Sequence, residues 1–282
     1  MSRSEPPDVR PQGRVHPRIT VVASFDPRRP LADDINFWES YGFSGAGLSL
    51  SRLSGHSWSA ALEQLHASST AIRQVCWPSA FHLSQPELWP GEQANLRRAI
   101  NAASVLGCEC LYVTTGPAGH LSTDQGYEAF VEAIGPAVSD AARQHVPLAI
   151  EHNHPLARDF GVIQSLTDAL DLAQELDIGV CVELSNCWMD RNIHSILTDG
   201  VRRFLLVQIS DFIVGTRDWP NPAVPGDGDI PLRRLIQTLL EARYAGRFDL
   251  EVLGPRIEQE GYECAIARGE RWLSEVLDGL GA

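Results

Sequence analysis

Apolar and polar positions alternate in short runs along the chain. Each run is followed by a stretch with helical spacing. Residues 19–24, 45–50, 71–77, 108–116, 147–152, 178–184, 203–211 and 247–254 predict strands. Residues 30–42, 58–69, 92–107, 124–145, 166–176, 191–200, 230–246 and 262–280 predict helices. Gly107 and Gly246 stand where two of these helices should stop. Strands alternating with helices pair in parallel, and eight such units in about 250 residues are the size of a closed barrel. The fold class read from this pattern is α/β, a (β/α)8 TIM barrel. An open doubly wound sheet would favour a GxGxxG turn after the first strand, and "ASFDPRRP" has none. The opening "MSRSEPPDVRPQGRVHP" is polar and proline-rich with no apolar core. Residues 1–17 are therefore expected to be a disordered tail, and residues 18–282 a single barrel domain.

The phase of the alternation picks out four polar side chains. In strand 5, Leu148 and Ile150 share one face, and Ala149 and Glu151 the other. In strand 6, Val180 and Val182 oppose Cys181 and Glu183. In strand 7, Leu205, Val207 and Ile209 oppose Leu206, Gln208 and Ser210, and in strand 8 Leu250 and Val252 oppose Asp249 and Glu251. With the branched sets against the helices, Glu151, Glu183, Gln208 and Glu251 point into the barrel near its C-terminal end. Residues there do the chemistry in this architecture. Three carboxylates beside one amide repel one another strongly. Either raised pKa values or a divalent cation relieves that repulsion. All-oxygen donors favour a hard ion, Mn2+ or Mg2+, over Zn2+. The bland alternative is pairing of each acid with arginine or backbone groups.

Charge and cysteine content narrow the partners. The chain has 282 residues and a net charge of −13, which argues against a nucleic-acid backbone as the main partner. No run approaches the ~18 apolar residues of a membrane span. The six cysteines form no CxxC pair, which suits buried thiols and a cytoplasmic location.

Five segments resemble one family. "PLAIEHNHP", "GVCVELSNCW", "LLVQISDFIVGTR", "PAVPGDGDIPL" and "RFDLEVLGP" look like the xylose-isomerase-like superfamily of TIM barrels, the sugar-phosphate isomerase/epimerase family. The likeness is strongest from about 147 to 255, with a looser match at "AINAASVLGCECLYVTTGP". The resemblance implies a divalent-metal-dependent isomerase or epimerase acting on a sugar or related α-hydroxy carbonyl compound through an enediolate. It implies Glu151 and Glu251 as both acid/base groups and metal ligands, with Glu183 and Gln208 completing the metal set. Arg217 matches a substrate-binding arginine of the family. Two positions depart from the pattern: Glu183 stands where the family has Asp, and Asn186 where it has a His near the substrate.

Other residues can reach the same rim. His154 follows strand 5, and His82 and His56 follow strands 3 and 2; loop hydrogen bonding is the alternative for each. Trp77 and Trp188 can wall a sugar ring, though ordinary packing explains either. Asp211 can cap the following loop or support the site from behind. Two further functions stay open: a lyase or dehydratase acting on a keto-sugar, keto-glycoside or natural-product intermediate, and a metal-free binding barrel. The family also has a DNA-repair branch resembling endonuclease IV, which needs a histidine-rich zinc site that these strand ends do not offer. The expected partner is a small sugar-like or polyol-like molecule, with no nucleic acid and no membrane. A homodimer is possible in such barrels.

Overall fold

In a computed structural model, which describes residues 13–24, 26, 28–53, 58–217 and 220–282, the alternating runs form eight strands. These are β1 (Ile19–Val22), β2 (Gly45–Ser49), β3 (Ala71–Trp77), β4 (Cys110–Val113), β5 (Leu148–Glu151), β6 (Gly179–Glu183), β7 (Phe204–Ile209) and β8 (Arg247–Leu250). Neighbours pair in parallel in chain order, and β8 closes on β1 through Thr20 opposite Asp249. The expected TIM barrel is the observed fold.

The helices are α1 (Leu31–Tyr41), α2 (Trp58–Ala67), α3 (Trp89–Leu106), α4 (Thr123–Arg143), α5 (Leu166–Leu176), α6 (Leu184–Cys187), α7 (Ile193–Gly200), α8 (Leu232–Glu241), α9 (Pro255–Glu260) and α10 (Tyr262–Leu280). Local chemistry sets several of their ends. Ser122 opens α4 with a capping box closed by Gln125. Ser165 opens α5 by accepting from the Asp168 amide. Gly107 ends α3 at φ 66°, a left-handed conformation that glycine adopts without steric cost. The predicted end of α8 at Gly246 is not observed. The helix stops at Glu241, Arg243 turns left-handed, and Tyr244 folds back onto Phe248, their ring centroids 5.3 Å apart. Burying that ring overrides continued helical spacing. No described helix is long and apolar enough to cross a membrane.

The predicted faces are the observed ones except at Leu205, which packs with the second cluster where the β6–β7 register shifts between Val180 and Cys181. Ile150, Val180, Val182, Val207, Ile209 and Leu250 join the main core between barrel and helices. Cys76, Cys110, Tyr112, Ala149, Cys181 and Leu206 form a separate cluster, which the strand phase places inside the barrel. All six cysteines are free and five are buried, and burial raises their thiol pKa values. Towards the N-terminal end, Asp249 Oδ1 accepts from Thr20 Oγ1 at 3.0 Å and Gln74 Nε2 at 2.7 Å. Burial pushes the Asp249 carboxyl up to about 7.

Part of the predicted tail is packed. Val15 lies in the core, and His16 donates its backbone amide to Ser274 Oγ and pairs Nε2 with the Ala282 carbonyl. Order thus begins before residue 18, because one apolar side chain and the chain's end anchor this segment. Residues 1–12 of the predicted tail, and His56, lie outside the described residues.

Candidate active site at the C-terminal end of the barrel

Strand phase alone delivers the acids. Glu151 is the last residue of β5, Glu183 the last of β6, and Glu251 follows β8 directly. Gln208 lies in β7, in register with Glu183 on one side and Asp249 on the other. Glu151, Glu183 and Glu251 line one cavity of about 430 Å3. A larger, open depression of about 570 Å3 lies between Arg18, Glu241 and Tyr244, at the opposite end of the barrel. Side chains at that end of a TIM barrel serve stability, so the smaller cavity is the chemical one.

Each acid sits in a different hydrogen-bonding setting. Glu183 Oε1 accepts from the Ser185 amide at 2.9 Å and from Ser210 Oγ at 3.0 Å. Gln208 is fully buried beneath the cavity. Its Nε2 donates to Glu251 Oε2 and, at 3.2 Å, to the Tyr112 hydroxyl, while its Oε1 accepts from the Cys181 thiol. Tyr112 Oη in turn donates to Glu251 Oε2 at 3.3 Å. Glu251 is thus held from below by an amide and a phenol.

Burial raises all three carboxyl pKa values. It pushes Glu151 up to about 8, with the charges of Glu183 and Asp249 adding to the effect. Glu251 is raised well above the usual carboxylate range by burial and then by Glu151, Asp249 and Glu183. Glu183 is raised by burial, partly offset by its serine partners. The charge of Glu151 thus helps to hold a proton on Glu251.

Five of the sequence-predicted residues come together here: Glu151, Glu183, Glu251, Asn186 and His154 all line the cavity. Asn186 Nδ2 donates to the His152 carbonyl at 3.1 Å, which ties the β6 end to the β5 loop. His154 Nδ1 accepts from the Leu156 amide, and burial lowers its pKa, favouring neutral imidazole at the rim. The other five lie outside the lining: Gln208 lies beneath it, and four are carried elsewhere. Arg217 is exposed on the loop after β7. Trp77 packs on Trp58 with centroids 6.5 Å apart, and Trp188 packs against the core. His82 pairs its Nδ1 with Glu92 at 2.6 Å, above α3. In each case a local partner or the loop's course takes the side chain elsewhere. Sequence reasoning also missed Ser49, Ser51, Ser185 and Phe160, which line the cavity, and Tyr112 beneath it. Ser210, another lining residue, was visible as the position in phase with Gln208.

The donor set fits a hard divalent ion in its chemistry. It offers three carboxylates that repel one another, and no arginine or lysine lines the cavity among the described residues. It is not a preformed cage. Among the described residues no three His, Cys, Asp or Glu side chains are grouped to hold a metal. Gln208 also presents its amide nitrogen, not its oxygen, to Glu251.

The sequence matches the family described as xylose isomerase-like TIM barrels over residues 37–276. The chain belongs to this family. The match runs from within α1 to within α10 and spans every lining residue from Ser49 to Leu253. No curated protein matches the sequence. Solved structures of similar fold include protein SMc04130 from Sinorhizobium meliloti, 21% identical with a TM-score of 0.84, covering 92% of this chain and 98% of that one. The IolI protein with a bound zinc atom is 15% identical with a TM-score of 0.77, covering 93% and 99%. D-psicose 3-epimerase from Clostridium cellulolyticum, solved with D-tagatose, is 14% identical with a TM-score of 0.74, covering 94% and 98%. These likenesses to xylose isomerase-like barrels establish the shared fold.

Proposed function

We propose that this protein is an isomerase or epimerase of a small sugar-like α-hydroxy carbonyl compound. The observation that carries the proposal is the pair Glu151 and Glu251. They come from the ends of β5 and β8 and line one cavity, and the charge of Glu151 helps to hold a proton on Glu251. Proton transfer next to a carbonyl needs one carboxylate to take a proton and a second acid to return one, each with a pKa near the working pH. In the proposed reaction, one glutamate takes the proton from the carbon bearing the hydroxyl, and the electron pair moves to the carbonyl oxygen to give an enediolate. The partner glutamate then delivers a proton to the opposite face, or to the neighbouring carbon. Ser49, Ser51 and Asn186 supply hydrogen bonds to substrate hydroxyls. Tyr112 and Gln208 fix Glu251 from below.

The proposal includes a divalent ion, Mn2+ or Mg2+, held by Glu151, Glu183 and Glu251; Gln208, expected from the sequence as a fourth ligand, is not one of them, because its oxygen faces the Cys181 thiol and its nitrogen faces Glu251. When bound, it supplies positive charge that stabilises the oxygens of the reacting centre. The zinc in the IolI structure and the ketose in the D-psicose 3-epimerase structure support this reading by analogy of fold.

The test is deuterium exchange from solvent into the substrate carbon across a panel of ketoses and ketohexosides. Exchange should occur with the active compound, and Glu151→Gln or Glu251→Gln should slow it by about 10³-fold. Turnover without exchange rules out the enediolate. Exchange with loss of a substituent assigns the lyase reaction instead.

A further inference from the structure

We propose that the cavity takes an uncharged cyclic keto-polyol carrying an apolar substituent, such as an aryl or alkyl ketohexoside, in preference to a free or phosphorylated sugar. This rests on the proposed proton-transfer site and specifies its substrate.

The cavity has two unlike halves. Its floor is polar, built from strand ends that carry Glu151, Glu183, Glu251, Ser49 and Ser210. Its wall includes an apolar stretch from loops, Pro78 after β3, Phe160 after β5, Phe212, Pro220 and Pro222 after β7, and Leu253 after β8, alongside polar Asn153, His154, Asn186 and Asn221. A free sugar presents hydroxyls all round its ring and would leave that wall facing polar groups. An apolar substituent matches it. Loops at this end of the barrel carry further exposed apolar residues. Phe160 is 42% exposed, and Leu156, Met189 and Val214, on the loops after β5, β6 and β7, are 67%, 72% and 63% exposed.

The same loops disfavour a phosphate. TIM barrels commonly bind phosphate with backbone amides of the loops after strands 7 and 8. Here several of those amides are already taken. Asp211 accepts from the amides of Gly226 at 3.0 Å, Gly228 at 3.0 Å and Ile230 at 3.1 Å, filling the loop after β7 with the protein's own anion. After β8, the Arg256 amide at the start of α9 donates to Asn221 Oδ1 at 3.3 Å. No arginine or lysine lines the cavity among the described residues, and three acids form its floor. A phosphate dianion would find no cationic side chain among the described lining residues to neutralise it.

The experiment measures binding of three probes to the full chain by calorimetry: a free ketohexose, its phosphate monoester, and a phenyl ketohexoside. The phenyl compound should bind at least tenfold tighter than the free sugar, and the phosphate should bind no tighter than the free sugar. Phe160→Ala and Leu253→Ala should weaken the phenyl compound more than the free sugar. Equal binding of the phenyl compound and free sugar, or tightest binding of the phosphate, overturns the inference. The two proposals fail separately. A phenyl preference without deuterium exchange in any compound removes the proton-transfer reading and leaves the apolar wall. Exchange with no phenyl preference does the reverse.

Discussion

Removing the Asp211 carboxylate should unfasten the loop that walls the cavity. Asp211 is 1% exposed, and its backbone pairs with Ala223 in an isolated bridge. Its two oxygens accept from four backbone amides, those of Phe212, Gly226, Gly228 and Ile230, at 2.8 to 3.1 Å. Hydrogen bonds to a charged group are each worth about 1.5–3 kcal/mol. The amides of Gly226 and Gly228 can turn to water once the loop loosens, so about two of the four bonds should count in full. Asp211→Ala should therefore cost about 3–6 kcal/mol, a fall in Tm of roughly 6–24 °C for a domain of this size. Asp211→Asn should lie between, because its Nδ2 can accept from neither glycine amide. Thermal unfolding gives the global number, and hydrogen exchange at residues 226, 228 and 230 reads the local one. A variant within about 0.5 kcal/mol of the parent, or one with those three amides still protected, would show that the carboxylate does not hold the loop.

The remaining predictions concern the acids and one backbone approach. Glu151 titrates at 4.5 when unperturbed and is pushed up to about 8 in the fold. Between those values the folded chain keeps a proton that the unfolded chain releases, so this stabilisation is complete below 4.5 and is lost as pH rises through 8. Solvent at the cavity mouth reduces the effect to roughly 1–2 kcal/mol from the ~1.4 kcal/mol per unit limit. Urea unfolding of metal-free protein should show the decline, and Glu151→Gln should make it shallower, with Asp249, Glu183 and Glu251 supplying the remainder; parallel profiles would refute the shift. Mn2+ at about 100 times its Kd should add ~2.7 kcal/mol of stability, reversed by chelator and lost in Glu183→Ala. A Tm indifferent to Mn2+ would remove the metal from the proposal. Gly116 has φ 91°, and a Cβ there would strike the Phe81 carbonyl. Gly116→Ala should cost more than about 2 kcal/mol in denaturant unfolding, and a smaller loss would mean that the loop after β4 yields.

The strands and the acids were legible because both follow from period-two geometry. Alternation is a covalent property of an extended chain, so Glu151, Glu183, Gln208 and Glu251 announced their shared phase without any knowledge of contacts. Eight repeats of strand and helix then left the closed barrel as the economical packing. Helix ends were legible where a local device sets them, as at Gly107, and illegible where a distant ring does, as with Tyr244 on Phe248.

The sequence by itself determined the barrel and which strand ends carry acids. Only the tertiary structure decided what surrounds those acids. It put Gln208 beneath the cavity with Tyr112, partners 96 residues apart in the chain, and left Arg217, Trp77, Trp188 and His82 outside the lining. It also brought Phe160, Phe212 and Leu253 to one wall and closed the Gly226–Ile230 loop on Asp211. The physical reason is the same in each case. A strand's facing is set by the residues next to it, whereas a loop's course is set by hydrogen bonds and packing between positions far apart in the chain.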